Sequence, residues 1–286
     1  EAMQAVATNL YDDDPLLRTS SVRALEFLPL HQRLRLLEPL LDDAVTSVRM
    51  EVAESLAGVP LDQVQPEQAA ALGKLFKEYV DIQRLHADMP SVQLQLGVFY
   101  VTRGDLPSAE GAYREALYLN NQLIPAYLNL ADLMRGQGRD DDARGVLKDA
   151  LSVAPEHGPT LHALGLLETR GGKTELALQY LGRAAEVETD STRHRFVYAI
   201  ALHDLGKPEE AIAQLQKLLR AAPRNEDVLL ALSNYHTELG QRDKALGYAK
   251  SLVEIAPGNR AYQELYQGLA GDSAPPPYLV RPQGTE

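Results

Sequence analysis

Two runs of carboxylates and a scatter of imidazoles are the side chains in this sequence best suited to chemistry. Asp12, Asp13 and Asp14, and again Asp140, Asp141 and Asp142, put three acids in a row, a pattern that suits a hard cation bound through oxygen. His162 and His203, with Asp132, offer donors to a softer ion, but two imidazoles without a third ligand in view read as polar surface. Each acidic run also stands where a helix is expected to begin. There its carboxylates satisfy free amides and complement the helix dipole, which accounts for them without a metal. Other reactive groupings are missing. Gly136, Gly138, Gly171 and Gly172 read as turns between helices, not as a phosphate cradle. No His-Glu-x-x-His occurs, and no serine stands in a Gly-x-Ser-x-Gly elbow. None of the 286 residues is Cys, so disulfides, thiolate metal sites, cysteine nucleophiles and covalently attached haem are excluded from this chain. The expectation is a protein that is not an enzyme, with no cofactor and no catalytic or metal-ligating residue.

The elements that would carry any function are helices. Hydrophobic residues make up 45% of the chain and charged residues 24%, the balance of a folded chain and not a disordered one. Leu and Ala dominate and Trp is absent, a helix-rich vocabulary. Twenty-eight basic residues against 40 acidic ones leave a formal charge of -12. Such a surface repels phosphate backbones and anionic lipid, so nucleic acid is not an expected partner. No apolar run approaches the roughly 18 residues of a membrane span. The absence of Cys does not fix a compartment; a periplasmic or extracellular setting is favoured over a cytoplasmic one.

A 34-residue ruler organises most of the chain. Gly104, Gly138, Gly172, Gly206 and Gly240 keep that interval, as do Ala109, Ala143, Ala177, Ala211 and Ala245. Pro155, Pro223 and Pro257 hold the register as well, with Asn121 and Thr189 in the equivalent places of two other repeats. The glycine is expected where the first helix of a pair ends and the chain reverses through a left-handed conformation. The alanine is expected where two helix backbones approach, facing the small residues Gly97, Ala131, Gly165, Ala199 and Ser233. Beside these, Leu96, Leu130, Leu164 and Leu232, with Tyr198 substituting once, supply the apolar knob. Tyr113, Leu147, Leu181 and Leu215 face the same core from the second helix. The proline ends that helix by denying it a donor.

This pattern resembles the tetratricopeptide repeat, with small and large apolar residues near positions seven and eight, Gly at fifteen, Ala at twenty and Pro at thirty-two. The fourth position, often Trp in that family, holds Gln93, Tyr127, Leu161, Arg195 and Leu229. The resemblance implies an all-α fold, an αα solenoid winding into a right-handed superhelix. Five repeats then occupy residues 90–123, 124–157, 158–191, 192–225 and 226–259. Residues 260–270 are expected to form a capping helix that covers the last repeat with Tyr262, Leu265, Tyr266 and Leu269. Residues 271–286 form a Pro-rich extended tail.

Ahead of Pro90 the interval changes to 31. Leu10, Arg18, Leu25 and Pro29 recur as Leu41, Arg49, Leu56 and Pro60. Residues 1–62 thus resemble HEAT-type repeats, in which an acidic turn caps a helix carrying a Val-Arg pair. Residues 63–89 read as a connector, with one long helix over 66–88 carrying Leu72, Leu75, Phe76, Tyr79 and Ile82 at helical spacing. Shifting Leu34, Leu37 and Leu41 back by 31 lands on Met3, Val6 and Leu10. The first repeat therefore reads as truncated, and an upstream region or a neighbouring molecule is expected to cover its bare stripe.

In the resembled family, first-helix positions line a concave face. Here the fifth and ninth positions are Leu94 and Val98, Leu128 and Asp132, His162 and Leu166, Phe196 and Ile200, and Leu230 and Asn234. Leu94 and Val98 stand where chaperone-binding members use a Lys and Asn clamp for a carboxylate terminus, so that ligand is not expected. The Asn ladder of other members is also missing, because only Asn129 is present among Gln95, Asn129, Ala163, Val197 and Ala231. The expected function is a scaffold that binds a protein or peptide, taking an extended apolar segment on this face. One alternative is head-to-tail self-assembly into a homo-oligomer or filament, with Met3, Val6, Leu10, Tyr278, Leu279 and Val280 as assembly candidates. Another is the C-terminal scaffold region of a longer protein. The HEAT-then-tetratricopeptide order is similar to the tail of some periplasmic multihaem cytochromes.

Overall fold

The structure, a computed structural model, describes residues 2–187 and 191–271, with side chains from residue 6 onward. The described residues form sixteen α-helices, two short 3-10 turns and no strand. They fall into two compact units that divide between Val153 and Ala154, each a stack of helix pairs, as the fold class requires.

The first unit opens with α1 (Ala2–Asn9), α2 (Pro15–Ala24), α3 (Leu30–Leu37) and α4 (Thr46–Leu56). Here the 31-residue interval has a physical counterpart in two arginines. Arg18 donates to the main-chain oxygen of Asp12 at 2.7 Å and forks onto the carboxylate of Asp43 at 2.9 and 3.0 Å. Arg49, one interval later, donates to the main-chain oxygen of Asp43 and pairs with Glu78. Each guanidinium satisfies a turn carbonyl and reaches one repeat onward, a double role that lysine's single ammonium cannot fill. The Glu78 carboxyl is held below its ordinary range by Arg49.

Next come α5 (Pro66–Arg84) and α6 (Pro90–Arg103). The expected long helix over 66–88 stops at Arg84. Met89 is extended, as a residue before proline must be, and Gln93 Nε2 donates to Ala87 O at 2.8 Å to hold the intervening turn. The change of ruler at Pro90 is bridged inside this unit. Tyr79 stacks on Phe99 at 4.4 Å between ring centroids, and Phe76 meets the same ring edge-on at 5.8 Å. Arg103 reaches back to donate to Ala57 O and Val59 O at 2.8 and 2.7 Å, with its guanidinium 4.5 Å above the Phe76 ring. The unit closes with α7 (Leu106–Leu119), α8 (Ile124–Gly136) and α9 (Asp140–Val153).

The second unit holds α10 (Gly158–Arg170), α11 (Thr174–Val187), α12 (Thr192–Asp204), α13 (Pro208–Ala221), α14 (Glu226–Glu238), α15 (Arg242–Ile255) and the closing α16 (Arg260–Ala270). Leu265 and Leu269 of α16 are buried against the last repeat, and Tyr262 donates to Glu226 at 2.9 Å.

Across both units the 34-residue columns do what their residue types dictate. Gly104, Gly138, Gly172, Gly206 and Gly240 all have φ between 67° and 77°, and no other described residue has a positive φ. The five alanines are at most 1% exposed. Ser233 Oγ donates to Ala245 O at 3.0 Å, which shows how closely the first helix of that repeat approaches the backbone of the second. A Cβ on Gly165 would lie 2.5 Å from Leu181 Cγ, and one on Gly97 would lie 2.2 Å from the Tyr113 ring. The small residues on first helices are therefore seats for the large ones on second helices. The expected apolar knobs Leu96, Leu130, Leu164 and Leu232 are buried, while Tyr198 remains half-exposed against Gly182.

Candidate functional site

First helices of neighbouring repeats touch one another, α6 with α8 in the first unit and α10 with α12 in the second. The fifth and ninth positions of these helices divide into three groups. Val98 and Leu166 are exposed, at 47% and 41%. Leu94, Leu128, Phe196, Ile200 and Leu230 are half-buried: Phe196 and Ile200 lean on the core around Ala199 and Leu232, and Leu230 leans on the core around Leu229 and Leu252. His162 and Asn234 lie inside the fold, 7% and 6% exposed, and Asp132 is a solvated acid paired with Arg135 at 3.1 Å. What remains accessible is largely aliphatic and aromatic. It can bury apolar side chains of a partner but offers little to grip a charge.

The histidines and acids found in the sequence do not converge on one point. His162 packs instead on His194 of α12, with ring centroids 4.7 Å apart and the planes tilted by 32°. Burial, reinforced by repulsion from His194 and Arg193, lowers the His162 pKa from 6.5 to about 4, and neither of its ring nitrogens has a hydrogen-bond partner among the described residues. His203 stacks flat on Tyr235 at 3.7 Å, with Nε2 2.6 Å from Glu238 Oε2 and Nδ1 3.5 Å from Asp204. His236 stacks on Tyr248 and shares a 2.8 Å hydrogen bond with Gln241 Oε1; burial lowers its pKa. Among the described residues no group of three or more histidines and acids is placed to hold a metal ion. The acidic runs serve helix starts. Asp14 accepts from Leu16 N at 2.8 Å, while Asp141 and Asp142 pair with Arg144 and Arg139 in the first turn of α9.

One recurrent device escaped the sequence reading. His157, Ser191, Asn225 and Asn259, spaced by 34, each cap the helix that follows by accepting from a backbone N–H at 3.0–3.3 Å. A polar residue at a fixed offset before each first helix was the available signal, hidden because three residue types share the task.

At the start of the chain, Leu10 is 1% exposed and Val6 is packed against the core, so both serve the unit's own interior. The accessible apolar residues nearby are Tyr11, Leu16, Leu17 and Phe27, between 43% and 72% exposed. The side chain of Met3, and Tyr278, Leu279 and Val280 of the tail, lie outside the described residues. No helix among the described residues is long and apolar enough to cross a membrane.

Comparison with known proteins agrees with the geometry from α6 onward. One family model described as a tetratricopeptide repeat matches residues 94–159 and 162–226, and a second of the same description matches 202–269. The chain is 27% identical over 218 residues to cellulose synthase operon protein C of Pseudomonas fluorescens (strain SBW25), covering 72% of this chain and 16% of that protein. It is 19% identical over 197 residues to the TPR repeat-containing protein YpiA of Bacillus subtilis (strain 168), covering 69% of this chain and 47% of that one. The chain thus spans less than half the length of either relative. Among solved structures, a MamA protein is similar with a TM-score of 0.52 at 20% identity, over 59% of this chain and 92% of its own. YrrB, titled a TPR protein with an unusual peptide-binding site, is similar with a TM-score of 0.52 at 21% identity, over 66% of this chain and 97% of its own. These likenesses concern the fold. The family matches begin at residue 94, and the HEAT-type and cytochrome resemblances of the sequence find no support among the relatives. Through residues 94–269 the chain belongs to the tetratricopeptide-repeat family.

Proposed function

We propose that this chain is a protein-binding scaffold that takes an extended apolar segment of a partner along the first-helix faces of its repeats. The observation that carries this reading is the set of large apolar side chains on first helices of the second unit that stay exposed or only half-buried: Leu166, Phe196, Ile200 and Leu230. Burying each against a partner contributes on the order of 1 kcal/mol, so a segment touching several binds by area rather than by a single anchor. Selection from a displayed library of random peptides tests it. The intact chain should enrich segments with alternating large apolar residues, and Phe196→Asp should lose that enrichment while keeping its helical circular dichroism. Identical enrichment by both proteins would remove the first-helix face from consideration.

A second reading, self-association through the start of the chain, draws on the exposed Tyr11, Leu16, Leu17 and Phe27 and not on Val6 or Leu10. Leu16→Asp with Phe27→Asp should then lower the sedimentation coefficient at high protein concentration. A wild-type chain that sediments as a monomer at every concentration would refute it. We also infer that residues 1–62 follow a HEAT-like plan, in which Arg18 and Arg49 repeat one structural task.

A further inference from the structure

Inside the first unit, the end of α5 meets α6 and α7 around a cleft of about 300 Å³. Arg84 of α5, Leu96 and Tyr100 of α6, and Ser108, Gly111 and Ala112 of α7 line it. The 34-residue register shows why it stays open. Met134, Leu202 and His236 stand in the register of Tyr100 and are at most 2% exposed. The second helix of the preceding repeat packs on the helix that carries each of them, α7 on α8, α11 on α12 and α13 on α14. What precedes α6 is instead α5, which ends at Arg84, and Tyr100 is only half-buried. On the α7 side a Cβ added to Gly111 would meet nothing within 4 Å.

The polar groups at this cleft share one chemistry. Arg84 is its only charged side chain, and no carboxylate lines it. Arg18, Arg23, Arg49, Arg114 and Arg139 all pair with acids. Among the described residues, Arg84 reaches only the Tyr100 hydroxyl, at 3.4 Å. That hydroxyl accepts from Arg84 and keeps its own proton to donate. The Ser108 backbone N–H goes to Asp105 at 3.2 Å, while its Oγ has no hydrogen bond among the described residues. Beneath these donors the lining is apolar, with Leu96 and Ala112 at most 7% exposed.

We propose that this cleft binds a small organic acid, its carboxylate on Arg84, Tyr100 and Ser108 and its compact apolar body over Leu96 and Ala112. A guanidinium forks onto a carboxylate through two N–H groups, and the two hydroxyls add donors of their own. One cation and two neutral hydroxyls match a single negative charge. A phosphate dianion would leave charge uncompensated above an apolar floor. The volume stands at the lower end of ligand sites, the size of one ring and not of a chain segment. The site is separate from the first-helix face of the second unit and does not depend on peptide capture there.

Titration of the full, isotope-labelled chain with benzoate, followed by amide NMR, tests the proposal. Saturable shifts should centre on residues 84–87, 96–100 and 108–112, with a Kd on the order of 1 mM. Benzamide, of the same shape without the charge, should bind at least about tenfold more weakly, and Arg84→Gln should lose benzoate by a similar factor. Gly111→Leu should fill the cleft and abolish binding while keeping the helical circular dichroism, since its side chain enters open space. Phe196→Asp, in the other unit, should bind benzoate as the wild type does. No saturable shift around the cleft would overturn the site. So would equal affinity in Arg84→Gln or Gly111→Leu, or for benzamide.

Discussion

The 31-residue repeats and the repeats in the second unit are held by contacts of opposite kinds. In the former, long arginines cross from one pair of helices to the next: Arg18 and Arg49 pair with acids one repeat on, and Arg103 ends on the carbonyls of Ala57 and Val59. In the latter, smallness acts inside each pair of helices. Gly165 seats Leu181, Ser233 touches the backbone at Ala245, and each first helix begins on a side-chain cap. The difference teaches where each region is vulnerable. A contact made by polar reach fails when a donor is removed, because carbonyls are stranded; one made by close approach fails when an atom is added.

The largest effect expected from this contrast is at Arg103. Arg103→Met should destabilise the first unit by about 3 kcal/mol, because two turn carbonyls lose their donor and Phe76 loses the cation over its face. Urea denaturation followed by Tyr fluorescence would measure it, and a loss below about 1 kcal/mol would show that solvent replaces the guanidinium freely.

Gly165→Ala comes next, at about 2 kcal/mol, since the new methyl meets both the side chain and the backbone nitrogen of Leu181. Its control is Gly247→Ala on α15, where nothing lies within 4 Å of the added atom. There the same change should stabilise by roughly 0.5–1 kcal/mol through helix propensity. Similar midpoints for the two variants would break the small-residue account.

The smallest pair concerns the caps. Asn225→Ala should cost about 1 kcal/mol. Met89 stands at the cap position of α6 with an extended backbone, no side-chain hydrogen bond and half its surface exposed. Met89→Asn should therefore add roughly 0.5 kcal/mol in thermal unfolding. A destabilising Met89→Asn would mean that the two regions differ in more than their capping residues.

The parts of this fold that could be read from sequence depend on one residue type doing one job. Left-handed turns need glycine, so the five glycines printed their interval plainly. The alanine column did the same, because only a small side chain fits where backbones meet. The cap column was not legible, because histidine, serine and asparagine can all accept the same amide bond. The Arg18 and Arg49 recurrence was visible, but the reach of Arg103 across the change of ruler was not, since its partners are carbonyls that every residue possesses. At the candidate surface, Leu166 is exposed and Phe196 half-buried, whereas His162 turned inward. Its partner, His194, occupies a different place in its own repeat, and no single-position column could reveal that pair.

The account rests on the first-helix faces being the binding surface, and affinity for one selected apolar peptide tests this most directly. Fluorescence anisotropy would compare the wild type with Phe196→Asp and with Tyr118→Asp, the latter altering a second-helix tyrosine that is 83% exposed. The expected result is at least a tenfold loss for Phe196→Asp and unchanged affinity for Tyr118→Asp. Equal affinity in all three proteins, or a loss confined to Tyr118→Asp, would contradict it.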